Sequence, residues 1–277
     1  MSEGAASAAK AEALVLVGCG QMGAAMLRGW LARGAASKFI VIEPAGLPPV
    51  FADTSSVEWH AAAGELPDAL TPDAVVFAVK PQVINEVLPA YARWVRPQTV
   101  FLSIAAGITI SGIIRHLGAA AIIRTMPNTP AAIGRGITVA CANPRVTPEQ
   151  RRLCETLLAA IGESAWVEDE ALLDPVTAVS GSGPAYVFLL IEVLAQAGER
   201  AGLPADLALR LARETVAGSG ELARRSPGDP ARLREAVMSP GGTTRAALDV
   251  LMARGGLAQL IDKAVTAATK RSRELAS

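Results

Sequence analysis

Leu14-Val-Leu-Val-Gly-Cys-Gly-Gln-Met-Gly23 decides how this chain is read. Four apolar residues of strand type run without a break into G-x-G-x-x-G, and Gly23–Arg33 then follows with helical spacing. Each glycine has a separate use in such a turn. Gly18 allows the tight bend, Gly20 lets the backbone approach a pyrophosphate, and Gly23 lets the helix pack close to the strand. The helix N-terminus would offer free N–H groups and a partial positive charge to the phosphates. Glycines that only serve a turn seldom show this spacing between a strand and a helix. Gly18, Cys19, Gly20, Gln21, Met22 and Gly23 are therefore the first candidates for binding a dinucleotide.

The next apolar run, Phe39–Ile42, ends at Glu43, 20 residues after Gly23. A carboxylate there can accept hydrogen bonds from the adenine-ribose hydroxyls and would repel a 2′-phosphate. The loop Pro44-Ala-Gly-Leu-Pro-Pro49 carries no arginine or lysine to neutralise that phosphate. The expectation is NAD(H) preferred, with NADP(H) possible. An exposed glutamate at a strand end is the plain alternative. Cys19 reads as a small filler, having no partner cysteine or base nearby in sequence.

Working outward, short β-rich runs alternate with helical stretches up to about Val167. The runs are Leu14–Val17, Phe39–Ile42, Ala74–Val79, Val100–Ile104, Ala121–Arg124 and Ile137–Ala140, with a last short strand near Ala165–Val167. Their continuous apolarity suits parallel strands buried on both faces. Helices are expected over Gly23–Arg33, Gln82–Trp94 and Pro148–Ile161. This is the order of a doubly wound, Rossmann-like α/β sheet. After Glu170 the pattern is helical throughout: Pro184–Ala201, Ala205–Arg224, Pro230–Val237, Thr243–Ala253 and Leu257–Leu275. The expected domains are a disordered start over 1–12, a dinucleotide-binding domain over 13–170, and an all-helical domain over 171–277. The stripe Tyr186, Leu189, Leu190, Val193, Leu194 and Ala197 is wide for so small a bundle. Packing within the chain and completion by a second subunit both explain it, and dimerisation is favoured.

The bulk numbers exclude several classes. With 277 residues, 51% apolar, and 26 basic against 26 acidic residues, the chain has a sizeable core and no net charge. No basic face for nucleic acid is expected, and no uninterrupted run of about 18 apolar residues suggests a membrane span. Met1–Ala11 lacks the marks of a secretion or transit signal. Three cysteines and two histidines, without ligand spacing, indicate no metal site and a reducing, cytoplasmic setting.

Further along come Ala78-Val-Lys-Pro-Gln82, Ile104-Ala-Ala-Gly-Ile108, Arg124-Thr-Met-Pro-Asn-Thr-Pro130, Ser180-Gly-Ser-Gly-Pro-Ala-Tyr186 and Ser239-Pro-Gly-Gly-Thr-Thr244. With the glycine loop, and in this order, the chain resembles pyrroline-5-carboxylate reductases along nearly its whole length. The last two blocks are the more particular to that family. The resemblance implies that Ala78, Val79, Lys80 and Pro81, and also Ile104, Ala105 and Ala106, touch the cofactor. Plain readings stand beside these: Pro81 suits a helix start, and Ile104–Gly107 is a small-residue turn. In Ser239–Thr244, successive N–H groups can form an anion nest, while Thr243 could simply cap a helix. The resemblance implies that Ser239, Gly241, Gly242, Thr243 and Thr244 bind the substrate, with Thr244 hydrogen-bonded to the imine nitrogen as the catalytic residue. Ser180–Pro184 reads either as a helix start or as a place where another backbone comes close.

The implied reaction is hydride transfer from NAD(P)H to the C=N bond of 1-pyrroline-5-carboxylate, giving proline, in a homodimer or larger homo-oligomer. Two rivals remain. A β-hydroxyacid-type dehydrogenase resembles it at the glycine loop but places a catalytic lysine on the long interdomain helix, and Pro184–Ala201 has none. A non-catalytic dinucleotide-binding regulator would have no need of Ser239–Thr244. One departure from the family pattern is Glu214, where glutamine is usual, and the acidic run Glu168-Asp-Glu170 reads as a solvated linker.

Overall fold

A computed structural model describes residues 10–276 of the chain. The sheet unit begins with β1 (Ala11–Val17), α1 (Gln21–Arg33), β2 (Ala36–Ile42), β3 (Val57–His60) and β4 (Ala74–Phe77). It continues with α2 (Ile84–Val87), β5 (Val100–Ser103), α3 (Ile110–Leu117), β6 (Ala121–Met126) and β7 (Gly136–Ala142). α4 (Pro148–Ala159), β8 (Gly162–Trp166) and α5 (Leu173–Val176) complete it. The strands form one eight-stranded sheet in the order β3-β2-β1-β4-β5-β6-β7-β8.

Alternation along each strand makes both faces of the sheet apolar. Leu14 and Leu16 join one core with Met26, Leu27 and Trp30 of α1. Val15 and Val17 join the other with Phe77, Tyr91 and Trp94. Trp30 stacks on Phe39 and donates from Nε1 to the carbonyl of Leu157 at 2.9 Å, tying α1 to α4. With both faces covered, continuous apolar strands are the stable solution.

Several expectations need correction. β7 runs antiparallel to β6, whereas the other paired strands are parallel. The link from Met126 to Gly136 holds one short 3₁₀ turn, too little chain for a parallel crossover. Gln82–Trp94 is not one helix: α2 gives way to a 3₁₀ segment at Leu88–Trp94, where Pro89 removes a helical N–H. β3 and α3 escaped notice, β3 because a four-residue edge strand has almost no period to detect. α3 did carry a signal, since Thr109 caps it (Oγ1 accepts from Gly112 N at 3.0 Å) and Ile110, Ile113 and Leu117 are buried. Residues 1–9 of the expected disordered start lie outside the described residues. Ala11 and Glu12 belong to β1, anchored where Glu12 N donates to Asp73 Oδ2 at 2.7 Å.

The acidic run is likewise more than a linker. Glu168 is exposed, but Asp169 caps a 3₁₀ turn and Glu170 pairs with the buried Arg124 at 2.8 Å. The first compact unit extends past the expected boundary at 170, to Gly181, and takes back residues 269–277. The reason is burial: Leu173 and Ala178 are fully buried within it.

The second unit covers 182–268. α6 (Gly183–Arg200) and α7 (Ala205–Arg225) form a helical hairpin closed at Gly202, with Ala195, Ala208 and Ala212 buried between them. α8 (Pro230–Ala236), α9 (Thr243–Leu251) and the first part of α10 (Leu257–Ala276) follow. Much of the apolar face of α6 is open, with Phe188 62% and Leu189 56% exposed. Core packing within the chain therefore does not account for the stripe. The continuous helical stretch Glu170–Arg200 is long and apolar enough to cross a membrane by length and composition, with small polar residues and Glu192 interrupting the run.

Candidate active site

The glycine loop sits at the carboxyl end of β1, the edge where ligands bind in open α/β sheets. Gly18 has φ +90°, and a β-carbon there would stand 2.8 Å from the carbonyl oxygen of Ala78. A β-carbon on Gly23 would collide with the Gly18 carbonyl, so α1 lies as close as the spacing suggested. Beside Gly20 nothing comes within 4 Å. No side chain caps α1, so its first N–H groups face outward unclaimed by a capping oxygen. A tight turn, an open approach and an uncapped helix start suit a pyrophosphate.

Gly18, Gly20, Glu43, Ala78, Val79 and Lys80 line a single cavity of about 560 Å³. Glu43, on the cavity lining, is held by two backbone donors: Cys19 N at 2.8 Å to Oε2 and Ala45 N at 3.1 Å to Oε1. Its own backbone is fixed to β3, with Glu43 N donating to the His60 carbonyl at 3.1 Å and Trp59 Nε1 donating to the Glu43 carbonyl at 3.0 Å. Cys19 is buried, and burial together with the nearby Glu43 charge pushes its thiol up to about 11. It stays protonated at neutral pH, in keeping with a filler.

The cavity has a wall that motif reasoning missed. Ala61, Ala62, Ala63, Val83, Val87 and Tyr91 form an apolar slot beside Glu43. Arg93 secures it, binding the carbonyls of Ala63 and Leu66 and the Asp68 carboxylate. These residues come from a loop and a broken helix with no motif, and only an apolar slot beside the acidic strand end could have suggested them.

The remaining candidates lie around this cavity or apart from it. Gln21, Met22 and Gly23 form the first turn of α1, and Pro81 follows Lys80. Ile104, Ala105 and Ala106 leave the next strand, β5, where Ile104 N donates to the Phe77 carbonyl at 3.1 Å, and they do not line the cavity.

Ser239–Thr244 belongs to the helical unit and forms a turn leading into α9. Gly242 N donates to the Ser239 carbonyl at 3.0 Å, and Gly241 has φ +69°, a conformation that favours glycine. A β-carbon on Gly242 would collide with Ser239 Oγ. Gly242, not Thr243, is the N-cap, and no side chain caps the helix. The capping role weighed for Thr243 is not realised. Both glycines have a steric reason, and Thr243 and Thr244 form the first turn of α9 with their hydroxyls free of capping duty. Within the other particular block, Thr177–Gly181 is a π-helical turn whose Ser180 Oγ donates to the Val176 carbonyl at 3.1 Å, and α6 starts directly after it. Among the described residues, no group of three or more His, Cys, Asp or Glu side chains is arranged to hold a metal ion.

Comparison with known proteins matches residues 170–275 to a family model described as pyrroline-5-carboxylate reductase dimerisation. Residues 13–107 match one described as NADP oxidoreductase, coenzyme F420-dependent. The pyrroline-5-carboxylate reductase of Pseudomonas aeruginosa is 40% identical over 95% of this chain and 96% of that protein. That of pea, Pisum sativum, is 42% identical over 73% of this chain and 74% of its own length. The structure of a pyrroline-5-carboxylate reductase from Coxiella burnetii superposes with a TM-score of 0.87 at 34% identity, covering 95% of this chain and 98% of that one. The Plasmodium falciparum pyrroline carboxylate reductase with NADP bound gives 0.81 at 29% identity, over 96% of this chain and 98% of that one.

Proposed function

This chain belongs to the pyrroline-5-carboxylate reductase family and reduces the C=N bond of 1-pyrroline-5-carboxylate to L-proline with a nicotinamide dinucleotide; from that premise we propose that it prefers NADH and that Glu43 makes the choice. The observation that carries this is the Glu43 carboxylate, fixed by the N–H groups of Cys19 and Ala45 on the lining of the cavity. A charge held there offers acceptors to a ribose diol and repels a 2′-phosphate. Lys80 shares the cavity, but the loop after Glu43 has no cation. The Plasmodium relative has NADP bound, so NADPH use by this chain is the competing outcome. Steady-state turnover with each cofactor tests the proposal, and equal kcat/KM for NADH and NADPH would overturn it.

The glycine loop, Ala78–Pro81 and Ile104–Ala106 hold the cofactor, with the nicotinamide-ribose half at the Ile104–Ala106 turn. The reduced nicotinamide supplies the hydride. Ser239–Thr244 takes the substrate: N–H groups of Gly241–Thr244 anchor its carboxylate, and Thr244 Oγ1 steadies the imine nitrogen. Ser239 Oγ, packed against Gly242, shapes the turn. A substrate that binds already protonated is its own electrophile, so orientation is the main task of these residues.

The working unit is a homodimer or larger ring, supported by the exposed apolar face of α6 and the match to a dimerisation model. A cytoplasmic setting fits three free, buried cysteines.

A further inference from the structure

The turn Ile104–Gly107 and the residues that follow it are held from two sides by chain outside the sheet. On one side, Glu170 Oε1 accepts from Ile110 N at 2.8 Å and from Arg124 Nη1 at 2.8 Å. On the other lies the last turn of α10. Ser272 Oγ donates to Asp174 Oδ1 at 2.7 Å, across 98 residues of sequence, and both residues are buried. Leu275, three residues on and so on the same helix face, lies against Gly107. A β-carbon on Gly107 would stand 3.0 Å from the Leu275 carbonyl oxygen.

We infer that Ser272 and Asp174 are positioning residues for hydride transfer, pinning the end of α10 so that Leu275 braces the Ile104–Gly107 turn. Leu275 is 55% exposed, so its own burial does little to hold the tail; Asp174 holds it, through the buried bond from Ser272 and a longer ion pair with Arg273 Nε at 3.9 Å. If the tail served stability alone, two apolar residues of the same shape would do as well as a buried hydroxyl and carboxylate. The Ser–Asp bond instead sets one position and one orientation, which matters where the neighbouring turn carries a reacting group. This inference rests on the proposed contact of Ile104–Ala106 with the nicotinamide-ribose half.

The test uses the full-length enzyme and two ligands, NADH and ADP, which lacks the nicotinamide and its ribose. Ser272→Ala and Asp174→Ala should lower kcat/KM for NADH about tenfold and weaken NADH binding, while ADP binds as in the wild type. Asp174→Asn keeps an acceptor for Ser272 and should restore most of the activity. If Asp174→Ala does not fold, Ser272→Ala decides alone. Ala106→Val, which crowds the turn directly, separates the two levels. If it weakens NADH but not ADP while the Ser272 and Asp174 variants keep wild-type values, the brace is refuted and the cofactor contact stands. If Ala106→Val changes nothing, the cofactor contact fails and the brace falls with it. Equal weakening of NADH and ADP by Ser272→Ala would reduce the bond to general stability and overturn the inference.

Discussion

The Glu43 carboxylate takes its hydrogen bond from the backbone N–H of Cys19 at 2.8 Å, so the end of β2 is tied to the middle of the glycine loop. A second bond from Ala45 N leaves the side chain little freedom to swing away. The same charge helps to keep the Cys19 thiol protonated. One carboxylate therefore shapes the loop, sets the local charge and faces the cavity.

Removing that charge should relax cofactor choice. For Glu43→Ser, the ratio of kcat/KM for NADH to that for NADPH is expected to fall at least about tenfold, or roughly 1.4 kcal/mol. Initial rates with both cofactors at one ionic strength measure it. An unchanged ratio would assign selectivity elsewhere.

Thr244→Ala should act on the substrate side only. Loss of a hydrogen bond to a charged nitrogen is worth about 1.5–3 kcal/mol, so kcat/KM for pyrroline-5-carboxylate should drop roughly tenfold to a hundredfold. NADH affinity, read by fluorescence titration, should stay put. Full activity in this variant would remove Thr244 from the reaction.

Stability should depend on Glu170. Its partner Arg124 has a side chain only 4% exposed, so Glu170→Ala strands a buried charge. The expected cost is about 3 kcal/mol, seen as a fall of about 10 °C in Tm by calorimetry. A variant melting with the wild type would mean that the pair contributes nothing.

A charge on the open face of α6 should break the oligomer. Phe188 is 62% exposed in the single chain, and Phe188→Glu should leave the fold intact while light scattering reports a smaller particle. An unchanged mass would place the subunit contact on another face.

Cys19 should resist alkylation at neutral pH. With its thiol raised to about 11, the thiolate that reacts is scarce at pH 7 and grows as pH climbs toward that value. Peptide mapping after iodoacetamide treatment at pH 7 and pH 10 reads this out. Ready modification at pH 7 would contradict the buried position. The unfolded thiol ionises near 9. The folded state, which keeps its proton, therefore loses stability from this group as pH rises above 9.

Much of the candidate site's backbone shape was legible in the sequence because its signals are local. A strand running into G-x-G-x-x-G needs only neighbouring residues to say what each glycine does, and the clashes at Gly18 and Gly23 agree with the tight turn and the close helix packing. The paired glycines of Ser239–Thr244 also act locally, although Gly242 rather than Thr243 turned out to cap α9. The slot of Ala61–Ala63 and Tyr91 was not legible, since it joins a loop to a broken helix that Pro89 interrupts.

By itself the sequence determined the alternation of strands and helices, the helical second half, the glycine loop and the acidic strand end, because burial periodicity and turn chemistry are written within a few residues. Only the tertiary structure decided the direction of β7, the pairing of Glu170 with Arg124 and the return of α10 to Asp174 and Gly107. Each of these joins groups distant in sequence or depends on how a connection closes in space. Such contacts form only when the rest of the fold has already brought their ends together, and no local pattern records them.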